Sequence, residues 1–77
     1  MTGAFHVEWS VDALDDWRRL PLAEATSVSR AVETFAQGGP TTMIAGDGGT
    51  YLLLVGELVV VLLIDGDTLY VWRVRHA

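Results

Sequence analysis

Apolar and polar side chains alternate strictly near the start of the chain. Phe5, Val7 and Trp9 are apolar, and the two residues between them are polar. A period of two is typical of a strand that has one buried face and one exposed face. The pattern therefore predicts a strand over residues 5–9.

The spacing of apolar residues then becomes helical. Ser10 can cap a first helix over residues 11–20, because its hydroxyl can accept a hydrogen bond from a free N–H of the first turn. Asp15 and Asp16 are predicted to lie on the solvated face of that helix. A second helix is predicted to start at Pro21 and to bury a stripe of Ala25, Val28, Val32 and Phe35. Almost no linker separates the two helices, which favours an antiparallel hairpin.

Short apolar stretches make up the chain after the glycines and proline of residues 38–40, which end the second helix. These stretches predict strands over residues 41–45, 51–55, 58–64 and 69–75. Gly56-Glu57 has the form of a two-residue type II′ turn, and Asp65-Gly66-Asp67 is a second hairpin signal. The predicted fold is α+β: an N-terminal strand, an antiparallel helical hairpin, and a three- to four-stranded antiparallel meander.

The strand predicted over residues 58–64 contains no polar side chain. An antiparallel sheet with one wet face should alternate, and a single helical hairpin covers only one face. We therefore expect this strand to be central and its second face to be covered by a partner or by a second copy of the chain. The partner-facing set is either Val61 and Leu63 or, on the other face, Val60, Leu62 and Ile64.

A chain of 77 residues forms one domain, residues 1–77. A domain this small buries only about 60% of its unfolded surface, so its core is marginal without further support. There is no cysteine, which excludes disulfides and thiolate metal sites, and His6 and His76 alone do not make a zinc site. We expect no cofactor, and we expect a partner chain or a well-packed core to supply the missing stability.

The formal charge is −5, with five arginines and no lysine. A free-standing nucleic-acid binder usually carries a basic patch, because phosphate neutralisation supplies most of its affinity, and this chain lacks that balance of charge. The first residues contain no basic segment followed by an apolar one, so no signal peptide is predicted. The apolar stretch from Tyr51 to Ile64 is interrupted and is shorter than the roughly 20 residues that span a bilayer. We expect a soluble, cytoplasmic protein that does not contact membranes.

Three short motifs, in this order, resemble the RelE/ParE toxin superfamily over nearly the whole chain. Residues 5–10 match a first strand of the form aromatic-x-Val-x-Trp-Ser. Residues 13–21 loosely match the family's helix, which reads Ala-Leu-x-Asp-Leu-x-x-Leu-Pro. Tyr51, Val55 and Gly56 match the scaffold positions of the family's next strand pair.

The resemblance implies a type II toxin that an antitoxin wraps and inactivates. Such toxins are usually ribosome-dependent mRNA endonucleases, or gyrase poisons in the ParE branch, and the sequence does not separate the two. Three positions that carry arginine in the family hold Leu52, Leu54 and Val59 here. We therefore expect nuclease activity to be weak or lost.

Cleavage of RNA at the 2′-hydroxyl needs a base, an acid and a cation that stabilises the developing charge. The catalytic candidates that remain are Arg73, Arg75 and His76, of which His76 can act as an acid or base near neutral pH. Other groups able to take part are Tyr51, Tyr70 and Glu57.

Strict alternation along the last strand predicts which of its residues share a face. Arg73 and Arg75 would share one face with Leu69 and Val71. The other face would carry Tyr70, Trp72, Val74 and His76.

Two hypotheses about function follow. The first is a toxin component that inhibits translation through ribosome-dependent mRNA cleavage and is bound by a cognate antitoxin, contacting the ribosome and mRNA only if it is active. The second is a non-catalytic interaction module that forms a homodimer or a stable heteromer. Both hypotheses predict a partner-binding surface on the sheet: Leu52, Leu54, Val59, Val61, Leu63 and Trp72.

Overall fold

The computed structural model describes residues 4–77, which form one five-stranded sheet and two helices. The elements are β1 (His6–Trp9), α1 (Val11–Arg18), α2 (Leu22–Ala36), β2 (Met43–Ala45), β3 (Thr50–Val55), β4 (Leu58–Asp65) and β5 (Thr68–His76). The predicted order of elements is confirmed. Residues 1–3, which belong to the segment where no signal peptide is predicted, lie outside the described residues.

The strands lie in the order β1-β5-β4-β3-β2, so β4 is central, as predicted. Strands β2 to β5 form an antiparallel meander. Strand β1 pairs with β5 in parallel, at the edge of the sheet opposite to β2. The predicted α+β class is confirmed, and the structure adds that β1 is an edge strand of the same sheet.

Both tight hairpins of the meander are closed by two-residue turns. The strand residues on either side of each turn pair directly. Gly56 and Gly66 are the first residues of these turns, with φ of 60° and 64°, whereas Glu57 and Asp67 have no positive φ. This combination is the type II′ turn, whose twist matches that of the flanking strands. The turns fix the register of β4 against both of its neighbours.

Side chains and backbone groups close the helix ends where the sequence indicates. The Ser10 hydroxyl accepts a hydrogen bond from the N–H of Ala13 at 2.9 Å and caps α1. The N–H groups of Gly38 and Gly39 donate to carbonyls of the last turn of α2, in the pattern of a Schellman motif. Neither helix, within the described part of the chain, has the length and apolar character needed to cross a membrane.

The two helices cover one face of the sheet, with α1 against β5 and α2 against β3. The buried core lies between these layers: Ala13, Val28, Val32, Ala36, Leu53, Leu58, Val60, Leu62, Leu69, Val71 and Val74. Val60 and Leu62 are fully buried, whereas Val61 and Leu63 are only partly buried. Of the two sets that the sequence leaves open, Val61 and Leu63 are the one that lies on the face away from the helices.

A β-bulge in β5 changes which of its residues share a face. Leu62 pairs with Val71 and Val61 pairs with Arg73, so Trp72 is an extra residue between them. The prediction that Arg73 and Arg75 share a face with Leu69 and Val71 is therefore wrong, because it assumes strict alternation through this point. The second predicted set is divided for the same reason: Val74 is buried under the helices, whereas Tyr70 lies across from Leu63 on the other face.

Candidate functional site

One face of the sheet carries mostly apolar side chains and has no covering layer. Both helices pack on the opposite face, and residues 4–77 contain no further element that could cover it. The paired strands place these apolar residues at its centre: Ile44, Leu52, Leu54, Val59, Val61, Leu63 and Tyr70, with Trp72 beside them at the bulge. These polar residues occupy positions around them on the same face: His6, Glu8, Thr50, Asp65, Thr68, Arg73 and Arg75. We call this surface the open face.

The open face contains all three positions that carry arginine in the family that the sequence resembles. Leu54 pairs directly with Val59, and Leu52 lies next but one along the same strand. Ile44 and Trp72, at the two sides of this aliphatic patch, are 52% and 53% exposed. The resemblance implies arginine at these three positions, whereas this chain has leucine and valine there, which suit apolar contacts.

Arg73 is engaged with helix α1. Its Nε donates to Asp16 Oδ2 at 2.8 Å and its Nη2 donates to Asp16 Oδ1 at 3.2 Å, a two-pronged ion pair. The backbone N–H of Val74 donates to the same carboxylate at 3.0 Å. The hydrogen bond from Arg73, together with that from Val74, holds the pKa of Asp16 below its ordinary value, although partial burial opposes the shift. The charge of Arg73 is thus largely neutralised within the chain.

The start of α1 continues the pairing of β5 after β1 has ended. The N–H of Ser10 donates to the Val71 carbonyl at 3.0 Å, and the Ser10 hydroxyl donates to the Trp72 carbonyl at 2.8 Å. The Asp16 carboxylate then accepts from Val74. Backbone groups at the bulge, which would otherwise be unpaired at this edge, are satisfied by these contacts. These contacts stabilise the bulge, and the bulge determines on which face of the sheet the strand positions of Arg73 and Arg75 lie.

Asp16 is a residue that sequence reasoning misses. The prediction of a solvated helix face is right for Asp15, which is exposed and pairs with Arg19 at 2.8 Å. It is wrong for Asp16, whose side chain is only 14% exposed. Its position three residues after the buried Ala13 was the available signal, because that spacing places it on the packed side of the helix.

The three predicted catalytic residues are not brought together. Arg75 pairs with Val59 on the open face, and it makes no ion pair within the described chain. His76 pairs with Leu58, which is buried on the helix side, so alternation directs His76 away from Arg75. Arg73 has a strand position on the open face, but its guanidinium is bound to Asp16 of α1. Among the described residues, this arrangement places one free cation on the open face and no acid or base beside it on β5.

The further candidate groups are also dispersed. Tyr51 lies on the helix side, with its ring 6.5 Å from that of Phe35. Tyr70 is on the open face, and Glu57 lies in the β3–β4 turn. In residues 4–77 no group of three potential metal ligands comes together.

Two small cavities lie on the helix side of the molecule. One, of about 220 Å³, is lined by Ala23, Glu24, Ser27, Val55, Gly56, Glu57 and Leu58. The other, of about 230 Å³, is lined by Trp9, Leu14, Trp17 and Ser29. Both are smaller than the roughly 300 to 1,000 Å³ of ordinary ligand pockets. Neither is lined by the predicted catalytic arginines, so the open face is the better candidate for a functional surface.

Solved structures of toxin–antitoxin systems share this fold over almost the whole chain. The toxin–antitoxin complex RelBE2 from Mycobacterium tuberculosis matches with a TM-score of 0.77 and 20% identity, covering 96% of this chain and 99% of that one. The RelB–RelE complex from Methanococcus jannaschii matches with a TM-score of 0.76 and 18% identity, covering 88% and 87%. The chromosomal ParDE system from P. aeruginosa matches with a TM-score of 0.78 and 11% identity, covering 99% of both chains.

The sequence itself matches no protein-family model and no curated protein. The likeness is therefore one of fold, and it agrees in element order and extent with the resemblance drawn from the sequence motifs. The chain has a RelE/ParE-like toxin fold.

Proposed function

We propose that the chain is the toxin-fold component of a type II toxin–antitoxin system. In this proposal an antitoxin binds it in the cytoplasm through the open face, and its ribosome-dependent mRNA cleavage is weak or absent. The observation that carries the proposal is the uncovered apolar surface of β3 and β4, on a fold whose solved neighbours come from toxin–antitoxin systems.

The composition of the open face supports protein binding. Contiguous apolar patches larger than a few hundred Å² are uncommon on monomers and commonly mark interaction sites. Trp72 is half exposed at the bulge of β5, where an aromatic side chain can anchor a partner. An antitoxin segment with an apolar stripe would remove this surface from water, which is the main favourable term in association.

The scarcity of free positive charge on the open face supports the proposal that RNA cleavage is weak or absent. Cleavage needs cations positioned where negative charge develops, and the loss of one such group typically lowers kcat by about 10²- to 10³-fold. Leu52, Leu54 and Val59 provide no charge, and the guanidinium of Arg73 is bound to Asp16. Within residues 4–77, Arg75 is the arginine of the open face that remains to contact a phosphate.

Binding to a candidate antitoxin tests the partner. We expect the two proteins to copurify when coexpressed, and Val61→Asp to weaken the complex at least about 100-fold because it places a charge in the apolar contact. Val11→Asp is the matched control, since Val11 is 83% exposed on α1, away from the open face. The proposal fails if the wild-type chain does not bind, or if both variants bind equally well.

A non-catalytic interaction module is the second candidate function. It is favoured by the engagement of Arg73 with Asp16 and by the separation of His76 from Arg75. This candidate keeps the same binding surface but predicts no RNA cleavage at all. Mapping RNA ends on translating ribosomes separates the two functions.

A further inference from the structure

The charges at the two ends of the open face have opposite signs. Arg75 lies at one end, across from Val59, and Asp65 lies at the other end of β4, across from Thr68. Both residues are exposed, and neither takes part in an ion pair or side-chain hydrogen bond within residues 4–77. The apolar residues of β4 lie between these two free charges.

The net charge of −5 is largely kept away from this surface. Of the ten acidic residues, only Glu8 and Asp65 occupy positions on the open face. The others lie on the helices and in the turns. Two copies can therefore approach each other through their open faces without bringing most of their negative charge together.

We propose that, in the absence of another partner, two copies of the chain associate face to face through their open faces. The dimer has a twofold axis that lies between the two sheets and runs perpendicular to β4 at the level of Leu62. This symmetry reverses the strand direction, so the Arg75 end of one copy lies over the Asp65 end of the other. The contact occurs twice, as a twofold axis requires.

The register of the strands fits this axis. Positions 59 and 65 of β4 are equally far from position 62, and Arg75 is at the level of position 59. The two charged ends are about 20 Å apart along the strand, and packed sheets lie about 10 Å apart, a gap that an arginine and an aspartate side chain reaching from opposite sheets can close. The same axis places Val61 of one copy over Leu63 of the other, so that the apolar centre is also self-complementary.

The area available predicts a weak dimer. Four strands at about 4.8 Å spacing and about 20 Å in length give a contact of about 400 Å² on each copy, or about 800 Å² summed over both copies. This value is at the low end for specific interfaces, so we expect a dissociation constant of about 10 to 100 µM. The inference does not depend on the proposed antitoxin, since it concerns the isolated chain.

Sedimentation equilibrium of the purified chain and its charge variants tests the proposal. We expect Arg75→Asp and Asp65→Arg each to weaken the dimer at least about tenfold, because each turns two attractive contacts into repulsive ones. The double variant, in which the charges are exchanged, should recover to within about threefold of the wild type. Val61→Asp should leave only monomer.

Asp67→Arg is the matched control, because it makes the same change in the same hairpin, two residues away, but lies in the turn and outside the strand positions of the open face. It should dimerise like the wild type. The proposal is overturned if the wild type stays monomeric up to about 1 mM, roughly ten times the weakest expected constant. It is also overturned if the double variant is no better than the single ones, or if Asp67→Arg weakens the dimer as much as Asp65→Arg. A chain that stays monomeric would overturn this inference without contradicting the proposed binding of an antitoxin.

Discussion

Leu62→Ala should lower the free energy of unfolding by about 2 to 5 kcal/mol. Leu62 is fully buried on β4, between the sheet and the helices. Truncation to alanine loses the free energy gained by transferring these apolar groups out of water. It also loses packing contacts, because a cavity remains. A domain of this size has a total stability of only about 4 to 12 kcal/mol, so the variant should be close to unfolding. Urea denaturation followed by tryptophan fluorescence measures the change.

Leu63→Ala is the matched control for this prediction, because it makes the same change one residue further along the same strand. Leu63 lies on the open face and is only partly buried, so its truncation in the monomer should cost about 1 kcal/mol or less. Both variants are compared at concentrations low enough to keep the chain monomeric. Equal losses for the two leucines would show that the face assigned as open is covered.

Asp16→Ala should lower the free energy of unfolding by about 1 to 3 kcal/mol at neutral pH. The Asp16 carboxylate accepts the N–H of Val74, a residue that is 6% exposed, and the substitution leaves that donor without its partner. Asp15→Ala is the control, since it has the same effect on helix propensity but removes only an exposed pair with Arg19, worth about 0.3 to 0.5 kcal/mol. A loss for Asp16→Ala no larger than that for Asp15→Ala would contradict the role assigned to Asp16.

The effect of Asp16 should also depend on pH in a defined direction. Its pKa is lowered in the folded chain, first by the hydrogen bond from Arg73, from an ordinary value of 3.8. A lowered folded-state pKa means that the stabilisation is present above the ordinary value and is lost as the pH falls through the folded-state value. The difference between wild type and Asp16→Ala should therefore be constant near neutral pH and shrink below about pH 4. A difference that grows in acid would show the opposite linkage.

The hydrophobic pattern predicts the elements of this fold because each rests on local signals. Alternation at Phe5, Val7 and Trp9, the helical stripe ending at Phe35, and the glycine-first turns are all short-range features. The pairing of β1 with β5 is different, since it joins residues more than sixty positions apart. No local pattern encodes that contact, and it follows only from the packing of the whole sheet.

The site is less predictable than the fold because it depends on one inserted residue. Each residue added to a strand reverses the faces of those that follow, so the bulge at Trp72 moves Arg73 and Arg75 to the open face. The bulge is held by Ser10 and Asp16, which lie far away in the sequence. The sequence predicts β3 and β4 as apolar strands, and only the structure shows which of their residues face away from the helices.

We propose above that the open face of this toxin fold binds a protein partner and supports little or no RNA cleavage. The most direct test is to add purified, folded chain to translating ribosomes and to map new mRNA ends. We expect no new ends in the ribosomal A site, or a trace that Arg75→Ala removes. Efficient cutting in the A site by the wild-type chain would contradict it, and would show that Arg73, Arg75 and His76 suffice for catalysis despite their separation.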